Sequence, residues 1–126
     1  MVKIVYIALG GALGALSRYF VSKFVNSHLP FGYIPFGTVI VNVVGAFLLS
    51  FLMFLSIERL EISRSFLAFF GTGFLGSFTT FSTFTYESLS LFLTSPFRAF
   101  CYFSSNVVLG FLAAFLGMVL GRGRVL

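Results

Sequence analysis

Charge is what this sequence has least of. Among 126 residues there are eight Lys or Arg and three acidic side chains, all three glutamates. A soluble domain carries about 25% charged residues; here charged residues are 9% and hydrophobic ones 59%. So few charges cannot cover a water-facing surface, so the solvent is lipid. Tryptophan is absent, which removes one of the usual interfacial rings. One cysteine, Cys101, excludes an intrachain disulfide and a cysteine-based metal site, and reads as a small packing residue. The one histidine, His28, falls beside Pro30 in an expected loop. Without a second histidine, a paired carboxylate or a nucleophile with a base, the chain does not read as an enzyme. The net charge of +5 is scattered singly between apolar runs, which argues against nucleic acid as a partner and for anchors at the membrane interface.

What is abundant is apolar and aromatic. Twenty residues are Phe, a side chain that can face lipid at any depth. Four runs reach the roughly 20 apolar residues that a crossing helix needs: 4–25, 34–57, 65–93 and 97–120. The first outlasts the short apolar region of a signal peptide and is read as a span. His28-Leu29-Pro30 with Gly32 reads as a turn, Glu58-Arg59-Leu60-Glu61 as a polar cap, and Thr94-Ser95-Pro96 as a helix restart with Pro96 near the first position. No polar stretch is long enough for a second domain, so 1–126 is one transmembrane domain. With four crossings, Lys3, Arg59, Arg64, Arg122 and Arg124 fall on one side and Arg18, Lys23 and Arg98 on the other, five against three. That bias orients the chain weakly. It leaves open both a single orientation, N-terminus inside, and insertion either way up as an antiparallel homodimer. Gly10 with Gly14 and Gly117 with Gly121 mark helix faces that can approach closely, or are simply tolerated glycines.

Polar groups inside a span must find partners, so they carry the information. Asn42 sits mid-way along the second run. It reads equally as an interhelical hydrogen bond or as a pore-lining donor. The third run has glycines at 71, 73 and 76, then Ser77-Phe78-Thr79-Thr80-Phe81-Ser82-Thr83-Phe84-Thr85. Glycine and hydroxyl residues both weaken a helix, so a broken third helix with unwound backbone near the midplane is expected, its free carbonyls able to hold a cation. Phe81 and Phe84, three apart, would share a helical face beside that break. Glu87, the one acidic residue within a span, and Arg18 in the first run read as snorkelling anchors or, for Glu87, as a pore-mouth group.

Three motifs in order carry a resemblance. They are Gly10-Gly11-Ala12-Leu13-Gly14-Ala15-Leu16-Ser17-Arg18-Tyr19, then Gly37-Thr38-Val39-Ile40-Val41-Asn42-Val43-Val44-Gly45, then Gly73-Phe74-Leu75-Gly76-Ser77-Phe78-Thr79-Thr80-Phe81-Ser82-Thr83-Phe84. Along nearly its full length the chain resembles the fluoride ion channels of the Fluc (CrcB) family. The resemblance implies an all-α integral membrane fold of four transmembrane helices with the third broken, an antiparallel dual-topology homodimer with two pores, and passive export of fluoride across the inner (plasma) membrane. It implies a structural Na⁺ at the dimer centre, held by main-chain carbonyls at Gly76 and Thr79. It matches Asn42, Phe81 and Phe84 to pore-lining residues, Ser82 and Thr83 to the adjoining polar segment, Glu87 to an acidic position near the pore, and Tyr102 to a tyrosine beside the path. Ser77 stands where Gly is usual, and Asn106 where Ser is typical. The rival readings are a small proton-coupled multidrug exporter, which relies on a carboxylate that the first span lacks, and a non-transporting membrane scaffold.

Overall fold

A computed structural model of the chain describes residues 2–28 and 34–126. Among these, all regular structure is helical. Helices α1 (Val2–His28) and α2 (Phe36–Glu58) are followed by a composite segment: α3 (Arg64–Phe66), a π-helical stretch (Leu67–Leu75), α4 (Gly76–Phe78) and α5 (Ser82–Thr94). The last helix is α6 (Pro96–Arg122). Three helices, α1, α2 and α6, are long and apolar enough to cross a membrane; even the shortest, α2 with 23 residues, spans about 35 Å against a hydrocarbon core of about 30 Å. The third run, 65–93, is divided into these pieces, and none of them alone has crossing length. The chain thus has three helices of membrane-crossing length and one segmented element between the second and the last of them.

His28 is also corrected: it is the last residue of α1 rather than part of a loop, and is exposed there, its ring stacked on Phe24 at 4.2 Å. Leu29, Pro30 and Gly32 lie outside the described residues. Glu58 closes α2, so the polar cap is helical at its first residue. At the restart, Ser95 accepts a hydrogen bond from Arg98 N–H at 3.3 Å, with Pro96 opening α6. The N–H that proline lacks is one no helix would have used.

The glycines of the third run do not unwind it; 71–76 are helical throughout. Gly73 is a point of close contact, where a Cβ would strike Ile7 O. The π-helical stretch lies along α1, and α2 lies along α6. A Cβ on Gly10 would strike Phe69 O, and one on Gly14 would strike Phe74 O. On the other pair, Gly117 meets Phe47 O and Gly121 meets Phe51 O. Both small-xxx-small pairs therefore set backbone-to-backbone packing within one chain, which maximises dispersion where lipid supplies no hydrophobic drive. In the i→i+5 bonding of a π-helix, residues four apart lie nearly in line. Phe66, Phe70, Phe74 and Phe78 accordingly stack as successive rings, with centroids 5.3–5.7 Å apart. At the far end, Glu58 joins Arg122 at 2.6 Å and Arg124 at 3.0 Å, tying the C-termini of α2 and α6. Outward-facing Phe20, Phe97 and Phe111 are mostly exposed, a surface suited to acyl chains.

Backbone contact at Gly14 leaves no flexible neighbour to yield. Gly14→Val is expected to destabilise the protein by about 3 kcal/mol or more, the upper end of ordinary overpacking penalties, read as a lowered melting temperature and loss of a monodisperse peak in detergent. Gly71→Ala, whose Cβ would meet Leu52 at an ordinary 3.6 Å, is expected to leave both unchanged.

Candidate functional site

Between α4 and α5 the chain leaves the helix. Thr79 is extended, with φ −86° and ψ 159°, and the next helical residue is Ser82. Three residues of non-helical backbone inside an apolar protein need partners for their N–H and C=O groups. Thr79 N–H donates to Leu75 O and Phe81 O accepts from Thr85 N–H, and Asn42, reaching across from α2, serves Thr80. Its Oδ1 accepts from Thr80 N–H at 2.8 Å and its Nδ2 donates to Thr80 O at 3.2 Å. The orientation of the amide is forced, because Thr80 N–H can only donate. The second Nδ2 hydrogen goes to Asn106 Oδ1 at 3.0 Å, and Asn106 Nδ2 donates in turn to Tyr102 O at 3.1 Å. Asn42 thus holds α2, the non-helical turn and α6 together.

Those bonds have a consequence for the preceding helix. Helical geometry would pair Gly76 C=O with Thr80 N–H and Thr79 C=O with Thr83 N–H. Thr80 N–H is taken by Asn42, and Thr83 N–H donates to Thr80 Oγ1 at 3.2 Å. Gly76 and Thr79 therefore keep carbonyl oxygens with no helical partner, the chemistry a hard cation accepts. Next to them, Ser77 O takes a hydrogen bond from Arg18 Nε at 3.1 Å. Arg18, an anchor by sequence, here fastens α1 to the turn.

Glu87 is half-buried on α5. Its Oε1 accepts from Thr38 Oγ1 at 2.7 Å and from Tyr102 O–H at 2.6 Å. Tyr102 is 1% exposed and Thr38 3%, so these two hydroxyls fix the carboxylate from the protein side. Its remaining surroundings are a polar recess of about 250 Å³ walled by Arg18, Lys23, Asn26, Thr80 and Thr83 among others. Two hydroxyl donors thus hold the carboxylate, and Arg18 and Lys23 line the same recess.

Phe81 and Phe84 are both at the site but differ in burial. Phe81 precedes α5 and is 76% exposed, whereas Phe84, one turn into it, is 6% exposed. Their rings meet edge-on, centroids 5.9 Å apart at 65°. Phe84 also packs on Tyr102 at 5.8 Å and Phe103 at 5.6 Å. Together with Asn42, Gly45, Thr79, Thr80 and Asn106, the two rings border a mostly apolar groove of about 450 Å³. Thr80 lies in the wall of both groove and recess. Of the hydroxyls expected beside them, Thr83 faces the recess. Ser82 is exposed at the start of α5, its Oγ 3.5 Å from Thr80 Oγ1. Sequence reasoning missed Thr38, Thr80 and Phe103. Thr38 stood in a quoted motif, but a lone hydroxyl in an apolar helix normally bonds its own backbone, and nothing in one sequence says that it reaches a carboxylate 49 positions away.

Comparison with known proteins is consistent along the whole chain. The family described as CrcB-like protein, Camphor Resistance (CrcB), matches residues 5–118. A protein of Thermosipho melanesiensis named fluoride-specific ion channel FluC is 70% identical over 124 residues, covering 98% of this chain and 99% of the relative. A Thermotoga maritima protein of the same name is 59% identical over 119 residues, 94% of each. A third of that name, from Thermosipho africanus, is 66% identical over 124 residues, 98% of this chain and 99% of the relative. With three membrane-length helices, the segmented fourth element and a match from end to end, the chain is a multi-pass membrane protein that belongs to the CrcB family.

Proposed function

We propose that this protein is a fluoride-selective channel that lets cytoplasmic fluoride leave the cell passively through the inner membrane. What carries the reading is near-full-length likeness to relatives named as fluoride-specific channels, laid over a groove lined by Phe rings and small donors and lacking Lys or Arg. The edge of a phenyl ring is electropositive, so Phe81 and Phe84 can face a dehydrated anion edge-on. Ring edges and amide or hydroxyl donors hold an ion weakly, which suits conduction, since an ion bound tightly would not leave. Arg18 and Lys23 sit in the adjoining recess, where they attract an anion without trapping it in the groove. Glu87, Thr83, Ser82 and Tyr102 would shape the polar margin of the same path. The membrane potential drives the anion outward with about 2.3 kcal/mol per 100 mV, so no coupling ion is needed. Lack of a carboxylate on α1 disfavours the exporter, and a scaffold would have no use for a polar site at this depth.

The working unit in this reading is an antiparallel homodimer of four-crossing chains, residues 1–126 forming one domain and the composite segment acting as the interrupted third crossing. The groove is open on one side, with Phe81 at its lip, and an inverted second copy would close it. The five-against-three distribution of Lys and Arg is weak enough to allow both orientations. Gly76 and Thr79 carbonyls fit a structural Na⁺ at the dimer centre, because the turn has stripped both of their helical partners. Bound there, Na⁺ would supply a fixed positive charge and join the two copies.

Proteoliposomes loaded with fluoride should empty when a potassium ionophore is added, while chloride-loaded ones retain their ion; equal rates would sink the fluoride assignment, and strict dependence on a proton gradient would favour an exporter. Phe84→Ile nearly keeps volume but removes the ring edge, and fluoride flux should fall about tenfold in protein that still purifies intact, matching roughly 1.4 kcal/mol for an aromatic edge contact. Phe54→Ile, away from the groove, should conduct as the parent does. For topology, a cysteine label placed near the C-terminus in a Cys101→Ala background should react from both faces of intact cells; reaction from one face only would refute the antiparallel arrangement.

A further inference from the structure

Resting on the channel reading, we propose that Asn106 is a latch on the ion path, which releases donors to the passing anion by letting go of Asn42. In the structure the Asn42 amide offers an anion in the groove no free donor. Both Asn42 N–H groups are occupied, one by Thr80 O and one by Asn106 Oδ1. Asn106 is 7% exposed, with its Nδ2 turned onto Tyr102 O and away from the groove. Both amides border the groove, yet a fluoride ion beside them would meet no unengaged Asn42 N–H.

One of these bonds is much easier to open than the others. Thr80 uses both its N–H and its C=O on Asn42, and releasing them would orphan two backbone groups in an apolar interior. Tyr102 C=O already has the helical N–H of residue 106, so the Asn106 side chain is its second partner. Rotation of Asn106 therefore strands no backbone group, and the groove at its side gives it room. That single motion frees one N–H of Asn42 and turns the Asn106 NH₂ group toward the ion. Asn42 keeps its grip on Thr80 throughout, so the turn and its carbonyls stay in place.

Serine at this position is one heavy atom shorter and bonds the carbonyl four residues back. It cannot hold Asn42, so the Asn42 donor is free at all times. In proteoliposomes Asn106→Ser should raise fluoride flux about two- to tenfold, the factor that one neutral hydrogen bond is worth, while melting temperature falls and chloride stays excluded. Asn106→Ala, which forms no new bond, should act in the same direction. A residue that merely builds the wall would give lower stability with equal or lower flux. Equal or slower fluoride flux in both variants, or a parallel rise in chloride, overturns the latch and leaves the channel reading standing. Failure of both variants to assemble makes Asn106 a framework residue and overturns it too. A parent protein that passes no fluoride at all defeats the channel reading itself.

Discussion

Everything at this site depends on one bidentate contact, the Asn42 side-chain amide against the peptide groups of Thr80. In lipid, a backbone that leaves the helix must have its donors and acceptors met within the protein, since each orphan costs several kcal/mol. A primary amide is the one neutral side-chain group that imitates a peptide on both sides. With Asn42 in place, α4 can end at Phe78 and α5 can restart at Ser82, and the carbonyls of Gly76 and Thr79 are left without a helical partner. An aspartate there would lose both donors and set an oxygen against Thr80 O and Asn106 Oδ1.

The contact works only because the helices around it are held close. Asn42 has a short side chain, so α2 must lie within a few ångströms of the turn and of α6. Gly117 and Gly121 let α6 meet the α2 backbone directly, and Gly45, one turn beyond Asn42, leaves room for Thr79 against α2. On the opposite side Gly10 and Gly14 draw α1 onto the π-helical stretch, which brings Arg18 to Ser77 O. Small residues therefore set the distances, and polar residues use them.

This division explains what could be read from the sequence. Apolar run lengths located α1, α2 and α6 to within a few residues, and Ser95-Pro96 marked the start of α6, because both signals are local. Asn42 stood out because an amide in a span must have a partner, but the partner could not be named: Thr80 and Asn106 lie 38 and 64 positions away. The glycines at 71, 73 and 76 were read as weakness; Gly73 instead is packing surface, its place set by α1, where a Cβ would meet Ile7 O, and invisible in the run itself. Likewise Phe81 and Phe84 looked equivalent by spacing. They diverge in burial, because Phe84 is packed against Tyr102 and Phe103 while Phe81, at the start of α5, is left at the lip of the groove.

The placement of charge follows from the same economy of polar groups. A cation in the groove would bind an anion strongly enough to stop it, and a carboxylate there would repel it. Glu87 avoids the second problem because the two hydroxyls that fix its Oε1 come from buried residues on neighbouring helices, α2 and α6. They hold the carboxyl group at the recess, which Arg18 and Lys23 also line. Replacing either hydroxyl by a methyl group would leave that oxygen with one donor and free the carboxylate to swing. Thr38 and Tyr102 are thus what fixes the acidic residue at the recess and away from the groove, whose lining contains Asn42 and Asn106 but not Glu87.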